Sequence, residues 1–171
     1  MLAVPSTKLV AGYFAMMDAA AGEDAGYRVP DTAPLRRDPA GYVRRQLQVE
    51  RGENLPTGFV PQSTRWLVLD QEVVGEVRVR HWLSPMLELE GGHVGYFVHP
   101  RHRRRSHGHT LLRGGLAELR RRRVSAVLVT CDEANTASRR IIEAAGGVFE
   151  GHSRSPRRGV PVRRYWILQA V

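Results

Sequence analysis

Cysteine is almost missing from this chain: Cys131 is the only one. A lone thiol forms no internal disulfide, and its usage fits a reducing cytoplasm. Lysine is equally scarce. Lys8 stands alone among 26 basic residues, and the rest are arginines. No apolar run approaches the roughly 18 residues of a membrane-spanning helix, so no membrane partner is expected. The start, Met1 to Gly12, has no basic segment leading into an apolar stretch and reads as mature chain rather than signal peptide. Internal repeats and low-complexity linkers are absent. No Cys/His pair has finger spacing, and no metal is expected.

The composition is that of a globular protein, with 42% hydrophobic and 25% charged residues over 171 positions. That length suits a single domain, 1–171, able to bury about 70% of its unfolded surface. The formal charge of +9 points to an anionic partner, either a phosphorylated cofactor or nucleic acid.

Periodicity gives an α/β order. Phe14, Met17 and Ala20 share a helical face over 11–20, and glycines and prolines mark 22–38 as loop. Pro39 opens a second helix to Arg51, and 52–63 is again loop. Trp66–Leu69 and 73–80 read as a hairpin turned at Asp70-Gln71-Glu72. In the second strand Val73, Gly75, Val77 and Val79 share one face and Glu76, Arg78 and Arg80 the other, as in a half-buried strand. A strand at 93–98, a helix at 109–122 and an apolar strand at 126–129 follow, expected to be a parallel, right-handed crossover. A helix at 135–145 and a hairpin of 147–151 with 162–168, turning at 155–159, complete the chain. The expected fold is a mixed central sheet flanked by helices.

The informative stretch is Val98-His99-Pro100-Arg101-His102-Arg103-Arg104-Arg105-Ser106-His107-Gly108-His109-Thr110. It joins a strand to a helix start, where unpaired backbone N–H groups and the helix dipole favour phosphate. Gly108 is expected to spare room for a ligand against the backbone, and Arg103, Arg104 and Arg105 add charge. A plain basic loop is the alternative. The Walker and Rossmann glycine patterns are both missing. Arg105-x-x-Gly108-x-Thr110 instead resembles the Arg/Gln-x-x-Gly-x-Gly/Ala loop of the GNAT superfamily of N-acetyltransferases, departing at Thr110. The resemblance runs from about Glu53 to Trp166. It takes in Gly91-Gly92-His93-Val94-Gly95-Tyr96-Phe97-Val98 as the central strand, Thr130–Ser138 with Asn135 as the next strand and helix start, and Gly146–Glu150. Gly52–Pro56 and Arg164–Ile167 resemble a bacterial branch known only as predicted acetyltransferases.

The resemblance implies acetyl-coenzyme A as co-substrate and direct acetyl transfer to an amine in a ternary complex. It implies that amides of Arg103–Thr110 (Ser106, His107, Gly108, His109 among them) hold the pyrophosphate. Phe97 and Val98 would pair with the pantetheine arm, and Asn135 and Ser138 would contact it. It further divides the chain into acceptor-side helices and loops (10–65), a cofactor-binding core (66–145) and a C-terminal hairpin (147–170). Many members carry a general-acid tyrosine seven residues after the asparagine; here that position is Ile142, leaving Tyr96 as the nearest phenol.

Candidate bases are Glu88, Glu90, His81 and His93, with His93 and Glu90 leading. Each also reads as an ordinary residue: His93 as a hydrogen-bonded strand histidine, Glu88 and Glu90 as a solvated face, Tyr96 as a strand tyrosine packed on a helix. Cys131 reads as a small apolar residue. Asp18, Glu23, Asp24, Asp31, Glu50 and Glu53 offer charge for a cationic acceptor, a small-molecule or peptide amine. A homodimer is open. Two other readings stand beside this one. One is a nucleic-acid-binding module using the runs 101–105, 120–123 and 154–164, although no recognition helix, zinc finger or RNP motif accompanies them. The other is a degenerate fold that senses acyl-coenzyme A.

Overall fold

The computed structural model describes residues 1–23, 27 and 29–171; Gly26 of the first loop and the acceptor-side candidate Asp24 lie outside them. The order is β1 (Leu2–Ala3), α1 (Val10–Asp18), α2 (Pro39–Arg51), β2 (Gln62–Leu69), β3 (Glu72–Arg80), α3 (Pro85–Leu89), β4 (Val94–Val98), α4 (His107–Arg121), β5 (Ala126–Asp132), α5 (Thr136–Ala144), β6 (Val148–Arg154) and β7 (Pro161–Leu168).

Local chemistry explains the best-defined boundaries. Asp38 caps α2 by accepting the Gly41 N–H at 2.8 Å, Pro39 fills the first turn, and Gly52 ends the helix at φ 77°. Asp70 and Gln71, at φ 45° and 67°, form a two-residue turn of the hairpin type between β2 and β3. Asn135 caps α5, accepting the Ser138 N–H at 3.0 Å.

The mixed α/β architecture is the expected one, but the sheet is divided. One sheet has the order β1-β2-β3-β4 and the other β5-β7-β6, with every ladder antiparallel. The expected parallel pairing of β4 with β5 is not formed among the described residues. The two sheets touch where the His93 N–H donates to the Leu128 carbonyl at 2.7 Å. Gly92 permits this approach: at φ 57°, a Cβ there would lie 2.5 Å from the Leu128 oxygen.

Helices cover both faces. Val77, Val79, Val94, Leu111, Leu112, Leu119, Val127, Val129 and Ile142 form the core on the α4/α5 side. Tyr13, Phe14, Met17, Tyr42, Trp66, Val73 and Phe97 form the core on the α1/α2 side. The polar face of β3 is not solvated as its alternation suggested. Glu76 is fully buried, where it accepts hydrogen bonds from Trp66 Nε1 at 3.0 Å and from Tyr27, and pairs with Arg78 at 2.6 Å. That buried polar face forms one wall of the site.

Candidate functional site

The β3/β4 register decides which backbone groups of β4 are available. Arg80 N–H donates to His93 O at 2.8 Å and His99 N–H to Val74 O at 2.9 Å. With β3 and β4 in a single register between these bonds, Gly95 and Phe97 turn their N–H and C=O toward β3. Those of Val94, Tyr96 and Val98 face the open edge beside β5. Of the two expected backbone contacts, Val98 is therefore at the edge and Phe97 is not. The Phe97 ring is buried against Tyr27, at 5.0 Å between ring centres.

A cavity of about 520 Å³ opens at the divide. Val94, Gly95 and Tyr96 form one side and Thr130, Cys131 and Asp132 the other. Asn135 and Ser138 also line it, as do Arg78, Arg80, Glu90, Arg157 and Arg158 with parts of α2 and α3. Sequence reasoning missed these arginines as site residues. Arg78 and Arg80 had read as a strand's outer face, and Arg157 and Arg158 as a surface turn.

The three catalytic candidates are in different circumstances. Tyr96 lines the cavity, its hydroxyl 2.8 Å from Ser138 Oγ. Burial pushes that phenol well above its ordinary value, so it keeps its proton. Glu90 also lines the cavity but is engaged, accepting from Ser155 Oγ at 2.7 Å, Arg157 at 2.8 Å and Arg158 at 3.3 Å. Burial alone would raise its carboxyl; the hydrogen bonds from Arg157 and Ser155 outweigh it and hold the group below the usual range. It is not the solvated residue that strand periodicity suggests. His93 is 6% exposed, does not line the cavity, and accepts the Leu128 N–H on Nδ1 at 3.0 Å. Burial and the Arg80 charge push it down to about 4.

The basic loop runs from the end of β4 into α4. Arg104 and Ser106 adopt left-handed backbone, at φ 59° and 62°, and no side chain caps the helix start. Arg104, Arg105 and His109 are exposed, and among the described residues the two arginines have no carboxylate partner. Arg103 is engaged: its Nε donates to Val98 O at 3.2 Å, and its guanidinium pairs with Glu23 and lies 5.5 Å from the centre of the Phe97 ring. Thr110 sits in the first turn of α4, its N–H donating to Ser106 O at 3.2 Å. His107 borders this loop, 6.3 Å from His102 between ring centres.

Gly108 has a packing reason in the structure. A Cβ there would fall 2.6 Å from Ile141 Cδ1 and 3.7 Å from the Tyr96 ring. The glycine lets α4 pack on α5. Ile142 is fully buried in the core. Cys131 is buried, with its thiol pushed up to about 11 by burial, so it stays protonated. No cluster of three His, Cys, Asp or Glu side chains fit to hold a metal occurs among the described residues. No helix among them is long and apolar enough to cross a membrane.

Of the acidic residues expected to receive a cationic acceptor, none that is described lines the cavity. Asp18 pairs with Arg36, Glu23 with Arg103, Glu50 with Arg65 and Glu53 with Arg51, while Asp31 accepts the Ala33 N–H.

Similar architectures occur in solved acetyltransferase structures. A putative acetyltransferase from Salmonella typhimurium, yncA, solved with acetyl-CoA, has a TM-score of 0.67 at 18% identity, over 98% of this chain and 92% of that one. RimJ of Mycobacterium smegmatis, in complex with CoA-disulfide, has a TM-score of 0.74 at 15% identity, over 98% and 80%. A ribosomal-protein-alanine N-acetyltransferase from Brucella melitensis has a TM-score of 0.70 at 14% identity, over 99% of each chain. No curated protein sequence matches. The sequence pattern described as "Acetyltransferase (GNAT) family" matches residues 29–146, more than half of the chain. The chain belongs to the GNAT family of acetyltransferases.

Proposed function

We propose that this protein is an acetyl-coenzyme A-dependent N-acetyltransferase that transfers the acetyl group directly to an amine. The observation that carries this is the open β4 edge, which leads from the basic start of α4 into a cavity holding a neutral phenol. Acetyl-coenzyme A supplies an activated acetyl thioester. The amides from Ser106 to His109, with Arg104 and Arg105, suit its pyrophosphate, and Asn135 and Ser138 suit its arm. The edge-facing N–H groups of Tyr96 and Val98 can donate to the arm and to the acyl oxygen, where negative charge develops. Arg103, now on the Val98 carbonyl, would have to release it for pairing on that side.

Tyr96 is the proton donor for the departing sulfur, with Ser138 at hydrogen-bond distance to relay the replacement proton. His93 and Glu90 make poor bases: one is buried behind the sheet junction, the other held ionised by arginines. The amine's proton passes to water in the cavity, and catalysis rests on positioning and the backbone donors. Residues 66–145 form the cofactor side. The acceptor side combines 10–65 with the β6/β7 turn. A cytoplasmic location suits both the lone buried thiol and the co-substrate.

Local neutralisation weighs against nucleic acid. Arg121 and Arg122 pair with Glu118, Arg163 with Glu133 and Arg164 with Glu150. Thermal shift separates the readings: coenzyme A should stabilise the protein in the micromolar range, and duplex DNA at moderate salt should not. The opposite pattern would refute the enzyme reading.

A further inference from the structure

The cavity wall carries an unbalanced charge. Four guanidinium groups line it, from Arg78, Arg80, Arg157 and Arg158, against the carboxylates of Glu90 and Asp132. Those two carboxylates are taken: Glu90 by Arg157 and Arg158, and Asp132 by Arg158 at 2.6 Å. Arg78 has Glu76 behind it. Arg80 alone of the four has no carboxylate partner among the described residues. One of its terminal nitrogens donates to Gly91 O at 2.7 Å and Gly92 O at 3.2 Å. The other terminal nitrogen and Nε have no acceptor among the described residues.

The position of Arg80 matters as much as its charge. Its guanidinium spans the place where a Gly95 side chain would stand, 3.6 and 3.7 Å from that Cβ position. Gly95 lies on the α1/α2 face of β4, opposite the face that carries Tyr96 toward α5. An unpaired cation thus sits on one side of the strand, and the proton donor lies next along the chain on the other side. Burial and the Arg78 charge push Arg80 down to about 10, still protonated at neutral pH. A guanidinium in this setting favours an incoming oxyanion, which it can meet through two donors.

We propose that the acceptor is a small amine carrying an oxyanion on the same molecule, a carboxylate or a phosphorus oxyanion, and that Arg80 grips that group. The cavity volume is within the range for small-molecule sites. This inference rests on the acetyltransferase reading and reverses the expectation of a cationic acceptor: the acids of 10–65 are paired elsewhere, and the cavity is cationic. The Arg157–Glu90 pair is the adjustable part of the wall, since the Arg157 side chain is 52% exposed.

The test is an acceptor panel assayed by thiol release with acetyl-coenzyme A and by calorimetry of each amine, with and without coenzyme A. The panel holds glutamate, glycine, an aminoalkylphosphonate, the carboxamides of the two amino acids, and spermidine. We expect an acid-bearing amine to give the highest kcat/KM. Its carboxamide should be weaker by about 10- to 100-fold, as for the loss of a charged hydrogen-bonded pair. Carboxylate and phosphonate arms show which oxyanion fits. Arg80→Gln should raise KM for the acid by a similar factor with little change in kcat, and should not weaken spermidine, which has no oxyanion to lose and meets one fewer like charge; Arg80→Lys should recover part of the loss. The acid/amide comparison on unaltered protein stands even if the variants fold poorly. The proposal is overturned if amides or spermidine equal or exceed the acids, or if no acid binds or reacts while coenzyme A binds. Failure of coenzyme A to bind would instead strike the acetyltransferase reading, and the amine titrations alone would still report the acid/amide ratio.

Discussion

Replacing His93 by alanine separates a sheet clamp from a catalytic base. The ring accepts the Leu128 N–H at 3.0 Å, at the point where the two sheets meet. Leu128 is fully buried, so truncation leaves its donor without a partner, at about 1–3 kcal/mol. Above pH 7 the variant should be less stable by that amount. The pH dependence carries further information. Folding lowers the histidine from 6.5 to about 4. Below pH 6.5 the unfolded chain takes up a proton that the folded protein refuses. Wild-type stability therefore falls as pH drops from 6.5 through 4, by about 3 kcal/mol at the end of that window. The alanine variant lacks this loss, so the gap between the two should shrink on acidification and then invert. Urea unfolding followed by tryptophan fluorescence at pH 7.5, 6 and 5 measures it. A gap constant with pH would refute the reasoning. A variant of unchanged stability that loses turnover would restore His93 as the base.

Two further substitutions address the site. Tyr96→Phe should lower kcat by about 100- to 10,000-fold, the usual cost of losing a general acid, while calorimetry shows coenzyme A affinity retained; activity within a few-fold would remove Tyr96 from the proton path. Gly108→Val should destabilise the protein by about 1–3 kcal/mol through overpacking against Ile141, and Ile141→Ala in the same chain should recover part of it; a melting temperature equal to wild type would contradict the packing explanation.

The parts legible in the sequence are those that local chemistry specifies. Helix α2 follows its predicted bounds because Pro39 and Gly52 punctuate it, and the β2/β3 hairpin follows its alternation and turn. The antiparallel β6/β7 hairpin was likewise readable, though its strands run longer than the apolar runs. Strand β1 escaped notice because two residues, Leu2 and Ala3, carry no periodicity and owe their conformation to pairing with Leu67 and Trp66. The polar start of β2 escaped notice, Gln62 and Ser63 reading as loop and Thr64 and Arg65 as no element, because its partner is β3 rather than an apolar face. In the site, the basic loop and Tyr96 were visible as residue types. The choice of Val98 over Phe97 needed the register. The engagement of Glu90 with Arg157 needed a contact spanning 67 positions, and no local pattern encodes that. The cationic cavity wall was hidden for the same reason, since its arginines come from separate parts of the chain.

Amide hydrogen exchange at Tyr96 and Val98, with and without coenzyme A, tests the central claim most directly. Their N–H groups face the open edge of β4, so the free protein should exchange them faster than the neighbouring ladder amides. Saturating coenzyme A should slow both, along with the amides from Ser106 to His109. Slowing confined to other parts of the chain, with these amides unchanged at saturation, would contradict the account.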